Sequence, residues 1–157
     1  MEDIKTLLGQ AIRSEIDAAV FYNSVADAVR NLLLKERMRF LAQEEKKHEA
    51  FLRRIYEHRF PGEEIIVPET TPVPSPSFEP SENTQFSQLF SEAMEAEKAA
   101  HDFYMQLASR FSGEHAQILK YLAMMEMGHY QILETEREMA LNVESYENYD
   151  PGIHMGV

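Results

Sequence analysis

The 157-residue chain contains no cysteine. Disulfides, zinc knuckles, thiol catalysis and cysteine-ligated iron–sulfur centres are thereby excluded, so any metal must be held by carboxylate and imidazole. Bases are scarce too: 15 Lys and Arg stand against 27 Asp and Glu, for a formal charge of −12. Such a polyanion repels phosphates, so neither nucleic acid nor a membrane surface is an expected partner. No apolar run exceeds about six residues, which is too short for a membrane span. The start, Met1-Glu2-Asp3-Ile4, lacks the basic and apolar segments of a secretory signal, and a cytoplasmic location is the expectation. What remains, 44% apolar and 27% charged, is the balance of one globular domain.

Proline is absent from most of the chain and crowded into one stretch. Six of the seven prolines lie between Pro61 and Pro80, and the seventh is Pro151. Because proline breaks helix interiors, this placement marks two helical blocks around one connector. The connector, over 61–83, contains Pro72-Val73-Pro74-Ser75-Pro76 and reads as extended, polyproline-like chain. Ser112-Gly113 breaks the second block. A softer break falls near Arg30-Asn31, where asparagine can take a left-handed cap conformation. The expected helices are 3–30, 34–60, 84–111 and 114–141, forming a domain over 1–141 with a tail over 142–157. Apolar spacing agrees, for Leu8, Ile12, Glu15, Ala19, Tyr22 and Val25 step by three or four.

The two blocks repeat one another. Glu15-x6-Tyr22 matches Glu97-x6-Tyr104, and Leu41-Ala42-x2-Glu45-x2-His48 matches Leu122-Ala123-x2-Glu126-x2-His129. Such a repeat predicts two αα-hairpins related by a pseudo-two-fold axis. Glu-x-x-His puts both side chains on one helical face, where they can reach a single metal ion. One copy alone is weak and reads more readily as a solvated charge pair. Here, however, Glu45 and His48 interrupt the stripe Leu41, Leu52, Ile55, and Glu126 and His129 interrupt Leu122 and Leu133. Glu15 and Glu97 break the apolar stripes of the first and third helices in the same way. Buried charges are costly unless paired or metal-bound. If Glu15 lies level with Glu45, the first turn centres near residue 30; the same reasoning for Glu97 and Glu126 puts the second between 111 and 112. All six residues then share one layer.

The connector is longer than a simple return needs. At about 3.1 Å per residue it can run the full ~40 Å of a 28-residue helix, which makes the second and third helices parallel. The expected fold is therefore all-α, a ferritin-like antiparallel four-helix bundle of two αα-hairpins joined by a Pro-rich crossover. One glutamate from each of two helices, with Glu-x-x-His from each of the others, is the di-metal carboxylate arrangement of such bundles.

The stretches Ala11-Ile12-Arg13-Ser14-Glu15 through Tyr22 and Glu44-Glu45-Lys46-Lys47-His48-Glu49, with their second-half partners, resemble the rubrerythrin-like branch of the ferritin-like di-iron proteins. The resemblance covers residues 1 to about 141. It implies that Glu15 and Glu97 are terminal ligands, that Glu45 and Glu126 bridge two irons, and that His48 and His129 bind one each. It further implies an oxidoreductase acting on hydrogen peroxide or dioxygen, as a peroxidase or ferroxidase, in a homodimer. Glu45, Glu126, Tyr22 and Tyr104 are the candidate catalytic residues. The tyrosines read either as hydrogen-bond donors to ligand carboxylates or as redox participants. Full-length rubrerythrins carry a cysteine-rich rubredoxin domain; without cysteine, the electrons must come from a separate donor such as a rubredoxin. Manganese or a mixed pair would suit the same ligands. The alternatives are a bacterioferritin-like storage subunit, and a bundle whose metal serves folding or partner binding alone. His101, four residues after Glu97, is a further possible ligand, although its repeat counterpart is Ala19. Gly128, just before His129, costs helix stability and so predicts close packing or a local bulge.

Overall fold

The computed structural model describes residues 2–81, 83–143 and 146. Four helices, α1 (Ile4–Ala28), α2 (Leu32–Arg59), α3 (Phe86–Ala108) and α4 (Gly113–Asn142), account for the regular structure, and there is no strand among the described residues. Most of the tail expected over 142–157 lies outside them. The helix interiors carry no proline, and Asp3 starts α1 by accepting a hydrogen bond from the Thr6 amide at 2.8 Å. α1 pairs with α2, and α3 with α4, as two hairpins.

Cross-bundle pairings fix the directions. Tyr22 reaches Glu97 and Tyr104 reaches Glu15, so α1 and α3 run antiparallel. His48 faces Glu126 and His129 faces Glu45, so α2 and α4 do as well. With each hairpin itself antiparallel, α2 and α3 are parallel, as the crossover requires. The result is the expected four-helix bundle.

Two apolar clusters fill the bundle, one on each side of a polar layer. The first gathers Val25, Leu34, Met38, Leu41 and Phe90, and Leu133 of α4. The second gathers Leu8, Ile12, Leu52, Ile55, Leu107 and Leu119. Burying one such side chain contributes about 1.5–3 kcal/mol. These clusters offset the cost of the charged layer between them.

Two expectations about the turns and helix interiors need correction. Asn31 does not end α1 in a left-handed conformation: α1 ends at Val29 in extended backbone, and Asn31, at φ −59°, caps the start of α2. Its side chain accepts from the Leu34 amide at 3.1 Å and donates to the Tyr146 carbonyl at 2.8 Å. Gly128 shows neither close packing nor a bulge: a Cβ there meets nothing within 4 Å, and α4 runs through it as regular α-helix. Gly9 of α1 is the glycine that a close approach demands. A Cβ at Gly9 falls 2.6 Å from the Ile66 carbonyl oxygen, because the crossover lies directly on α1 there. Arg13 ties down the same segment through Nε to the Pro68 carbonyl at 2.7 Å.

Candidate metal centre

Each helix brings its site residues inward at positions its apolar stripe would otherwise fill. Glu15 follows Leu8, Ala11 and Ile12 on the buried face of α1, and Glu97 follows Leu89, Phe90 and Ala93 on that of α3. The Glu-x-x-His pairs of α2 and α4 face them. Glu15, Glu45, His48, Glu97, Glu126 and His129 are all at most 4% exposed. They converge midway along the bundle, between the two apolar clusters.

The layer divides into two four-residue sets. Glu15, Glu45, His48 and Glu126 bring one donor atom each within 4.8 Å of one another, and so do Glu45, Glu97, Glu126 and His129. Glu45 and Glu126 belong to both sets. The imidazoles stack in parallel, 5.4 Å between centroids and 9° between planes. Each directs Nδ1 across the bundle: His48 Nδ1 lies 2.7 Å from Glu126 Oε1, and His129 Nδ1 lies 2.6 Å from Glu45 Oε1. The second pair is close but off the hydrogen-bonding direction. It leaves Glu45 Oε1 and both ring nitrogens of His129 without a partner, along with Glu15 Oε2. Buried polar atoms are nearly always paired, and these orphans all belong to residues of the layer.

The tyrosines lie across the bundle from the glutamates of their own helices. The Tyr22 hydroxyl donates to Glu97 Oε1, and the Tyr104 hydroxyl donates to Glu15 Oε1. Glu15 and Glu97 are thus each held by the tyrosine of the opposite hairpin. Burial and the surrounding carboxylates push both phenols well above their ordinary range, so they stay protonated as donors.

Charge within the layer is unequally shared. Burial and the neighbouring carboxylates push Glu45 and Glu126 well above the usual carboxylate range. Burial acts the same way on Glu15 and Glu97, but hydrogen bonds prevail there and hold both below their ordinary value. The polar neighbours that act this way are Glu45, His48 and Tyr104 for Glu15, and Glu126, His129 and Tyr22 for Glu97; of these, the tyrosines make the direct hydrogen bonds. Burial disfavours charged imidazole, yet the facing carboxylates raise both His48 and His129. Without metal, the layer therefore favours charge on Glu15 and Glu97 and protons on Glu45, Glu126 and the imidazoles.

Carboxylate oxygens and imidazole nitrogens in two overlapping sets, with unpaired atoms among them, fit a di-metal site. His101 is not brought into either set; its Nδ1 lies 2.9 Å from Asp102 Oδ1 at the bundle surface. Reading the sequence alone missed the contribution of the crossover. Val73, Pro74, Ser75 and Pro76 reach the layer and line a small cavity with the four glutamates. The signal was Val73, an apolar residue standing between prolines, which is 7% exposed.

An all-α bundle with a buried layer of four glutamates and two histidines defines a ferritin-like protein with a candidate di-metal carboxylate site. The rubrerythrin family model matches residues 6–137, and the chain belongs to that family. A solved structure, described as a hypothetical protein from Pyrococcus furiosus, is similar over 92% of this chain and 94% of that one. It shares 41% sequence identity and superposes with a TM-score of 0.83. No curated protein matches the chain. No helix among the described residues is long and apolar enough to cross a membrane.

Proposed function

We propose that the protein is a di-iron oxidoreductase that reduces hydrogen peroxide or dioxygen with electrons from a separate donor protein. The observation that carries this reading is the pair of donor sets sharing Glu45 and Glu126. Glu15 and His48 complete one set and Glu97 and His129 the other, and Glu45 and Glu126 would be shared between the two metals. When bound, the metal pair supplies one electron per ion, which with two protons reduces hydrogen peroxide to two molecules of water.

The protein's own residues prepare the site for this. Tyr104 and Tyr22 hold the terminal carboxylates in place, an outer contact that orients a ligand and tunes its basicity. Apolar clusters on both sides exclude bulk water from the layer. The imidazoles lie away from the cavity beneath the crossover, which meets the carboxylate side of the layer. That side is where a small oxidant can enter.

The test is anaerobic loading with Fe(II), elemental analysis, and then addition of hydrogen peroxide. Two irons per chain and a two-electron oxidation are expected. Absence of oxidation, or an equal rate in a Glu45→Ala/Glu126→Ala variant, would refute the reading.

A further inference from the structure

The gap between α1 and α3 is lined in part by small side chains, beside Phe21 and Tyr22. Ser14 and Ala18 face it from α1, and Ala96 and Ala100 from α3. Larger residues there would fill the gap; these leave a cavity of about 20 Å³ against Glu15, Glu45, Glu97 and Glu126. Such a space holds roughly one water molecule. Its outer wall is the crossover segment Val73–Pro76.

That wall is stiff and well anchored. Pro72, Pro74 and Pro76 fix their own φ angles, and Val73 and Ser75, each preceding a proline, are restricted to extended backbone. Val73 packs into the apolar cluster containing Leu8 and Ile12. Further upstream, the Ile66 carbonyl sits on Gly9, and Arg13 holds Pro68. A connector needed only for reach could run over solvent; this one is pinned over the carboxylate side of the layer.

We infer that Val73–Pro76 is a fixed roof that selects the oxidant by size. It admits molecules of a few heavy atoms, such as hydrogen peroxide, and rejects peroxides bearing a bulky alkyl or aryl group. This rests on the proposed reaction at the same site, and it adds the specificity-determining segment. A tert-butyl group carries four carbons that a one-water cavity cannot receive without displacing Val73 or the prolines.

The experiment has two arms, each comparing the native chain with a Pro74→Gly/Pro76→Gly variant. In the first, the protein is loaded with Co(II), and its visible absorption is followed during titration with azide or with benzoate. The native protein is expected to bind azide, a linear anion that enters end-on with the cross-section of a single atom, and to exclude benzoate. The variant should improve benzoate binding relative to azide at least about tenfold, as expected when a steric wall is relaxed. In the second arm, the Fe(II) protein meets hydrogen peroxide or tert-butyl hydroperoxide, and the ratio of oxidation rates should shift toward the bulky peroxide in the variant. A benzoate-to-azide ratio that is identical in the two proteins would overturn the roof. If neither peroxide oxidises the Fe(II) protein, the proposed reaction fails, yet the cobalt titration still decides the roof. Failure to take up any metal overturns both. Helical circular dichroism checks that the variant is folded, and an Ala96→Leu substitution, which fills the gap from α3, should weaken azide binding.

Discussion

The two hairpins are nearly identical where they meet the polar layer and unlike elsewhere. Each supplies two glutamates, a tyrosine and a histidine, and each tyrosine crosses to a glutamate of the other hairpin. Away from the layer they diverge. The first turn is capped by Asn31, whereas Ser112 at the second makes no side-chain cap and the chain passes through left-handed Gly113 at φ 63°. The crossover lies on α1 at Gly9, while the repeat counterpart of Gly9 is Ser91 of α3. At the position of Gly128 in α4, the first hairpin carries Lys47. The repeat thus keeps what a shared metal layer needs and leaves each scaffold to solve its own packing.

The largest test of that symmetry separates shared ligands from unshared ones. Glu45 and Glu126 each serve both donor sets, so Glu45→Ala or Glu126→Ala should abolish occupancy at both positions. Glu15→Ala or Glu97→Ala should empty only one. Metal content per chain after dialysis checks this directly. Equal loss from all four substitutions would show that the division into bridging and terminal glutamates is wrong.

Proton linkage should also be large. Glu45 and Glu126 are raised, as are both imidazoles, so in acid the metal-free layer holds four protons that metal must displace. The sign follows: lowering the pH favours the protonated, metal-free form and weakens binding. Calorimetry at pH 6 in buffers of different ionisation enthalpy measures the protons released. A value near zero would mean the layer is already deprotonated before metal arrives.

The tyrosines test the crossing itself. Tyr22→Phe and Tyr104→Phe each remove one donor from a terminal carboxylate, and losing such an outer contact typically costs about 10–100-fold in metal affinity. Because the two contacts are related by the pseudo-two-fold, the losses should be similar. A competition titration with a chelator measures both. A large loss for one variant and none for the other would show that the halves are not equivalent in use.

Much of this architecture was legible because charge breaks a visible period. Glutamates at 15, 45, 97 and 126 stand where a stripe of leucine and alanine would continue, and a matched repeat excludes coincidence. Proline placement located the connector for an equally local reason, since each residue is tested against helix geometry alone. Other features depend on partners far along the chain. Asn31 suits a left-handed helix end or a helix start equally well, and only the Leu34 amide and the Tyr146 carbonyl decide between them. Val73 reads as one apolar residue in an extended link until α1 and α3 are placed beneath it.

The smallest predicted effects come from the two helical glycines, and they should have opposite signs. In a helix interior, glycine is less favourable than alanine by about 0.8–1.0 kcal/mol. At Gly128 nothing lies within 4 Å of an added Cβ, so Gly128→Ala should realise most of that gain. For a chain of this size, that is a rise in Tm of roughly 2–4 °C. At Gly9 the same gain is opposed by a contact of 2.6 Å with the Ile66 carbonyl, which is backbone and cannot rotate away. Overpacking of this kind costs about 1–3 kcal/mol, so Gly9→Ala should be destabilising or at best neutral. Thermal unfolding of the metal-free proteins checks both, since metal binding would raise Tm independently. If Gly9→Ala stabilised as much as Gly128→Ala, the crossover would be free to lift from α1. The asymmetry between the hairpins would then be a matter of sequence rather than of packing.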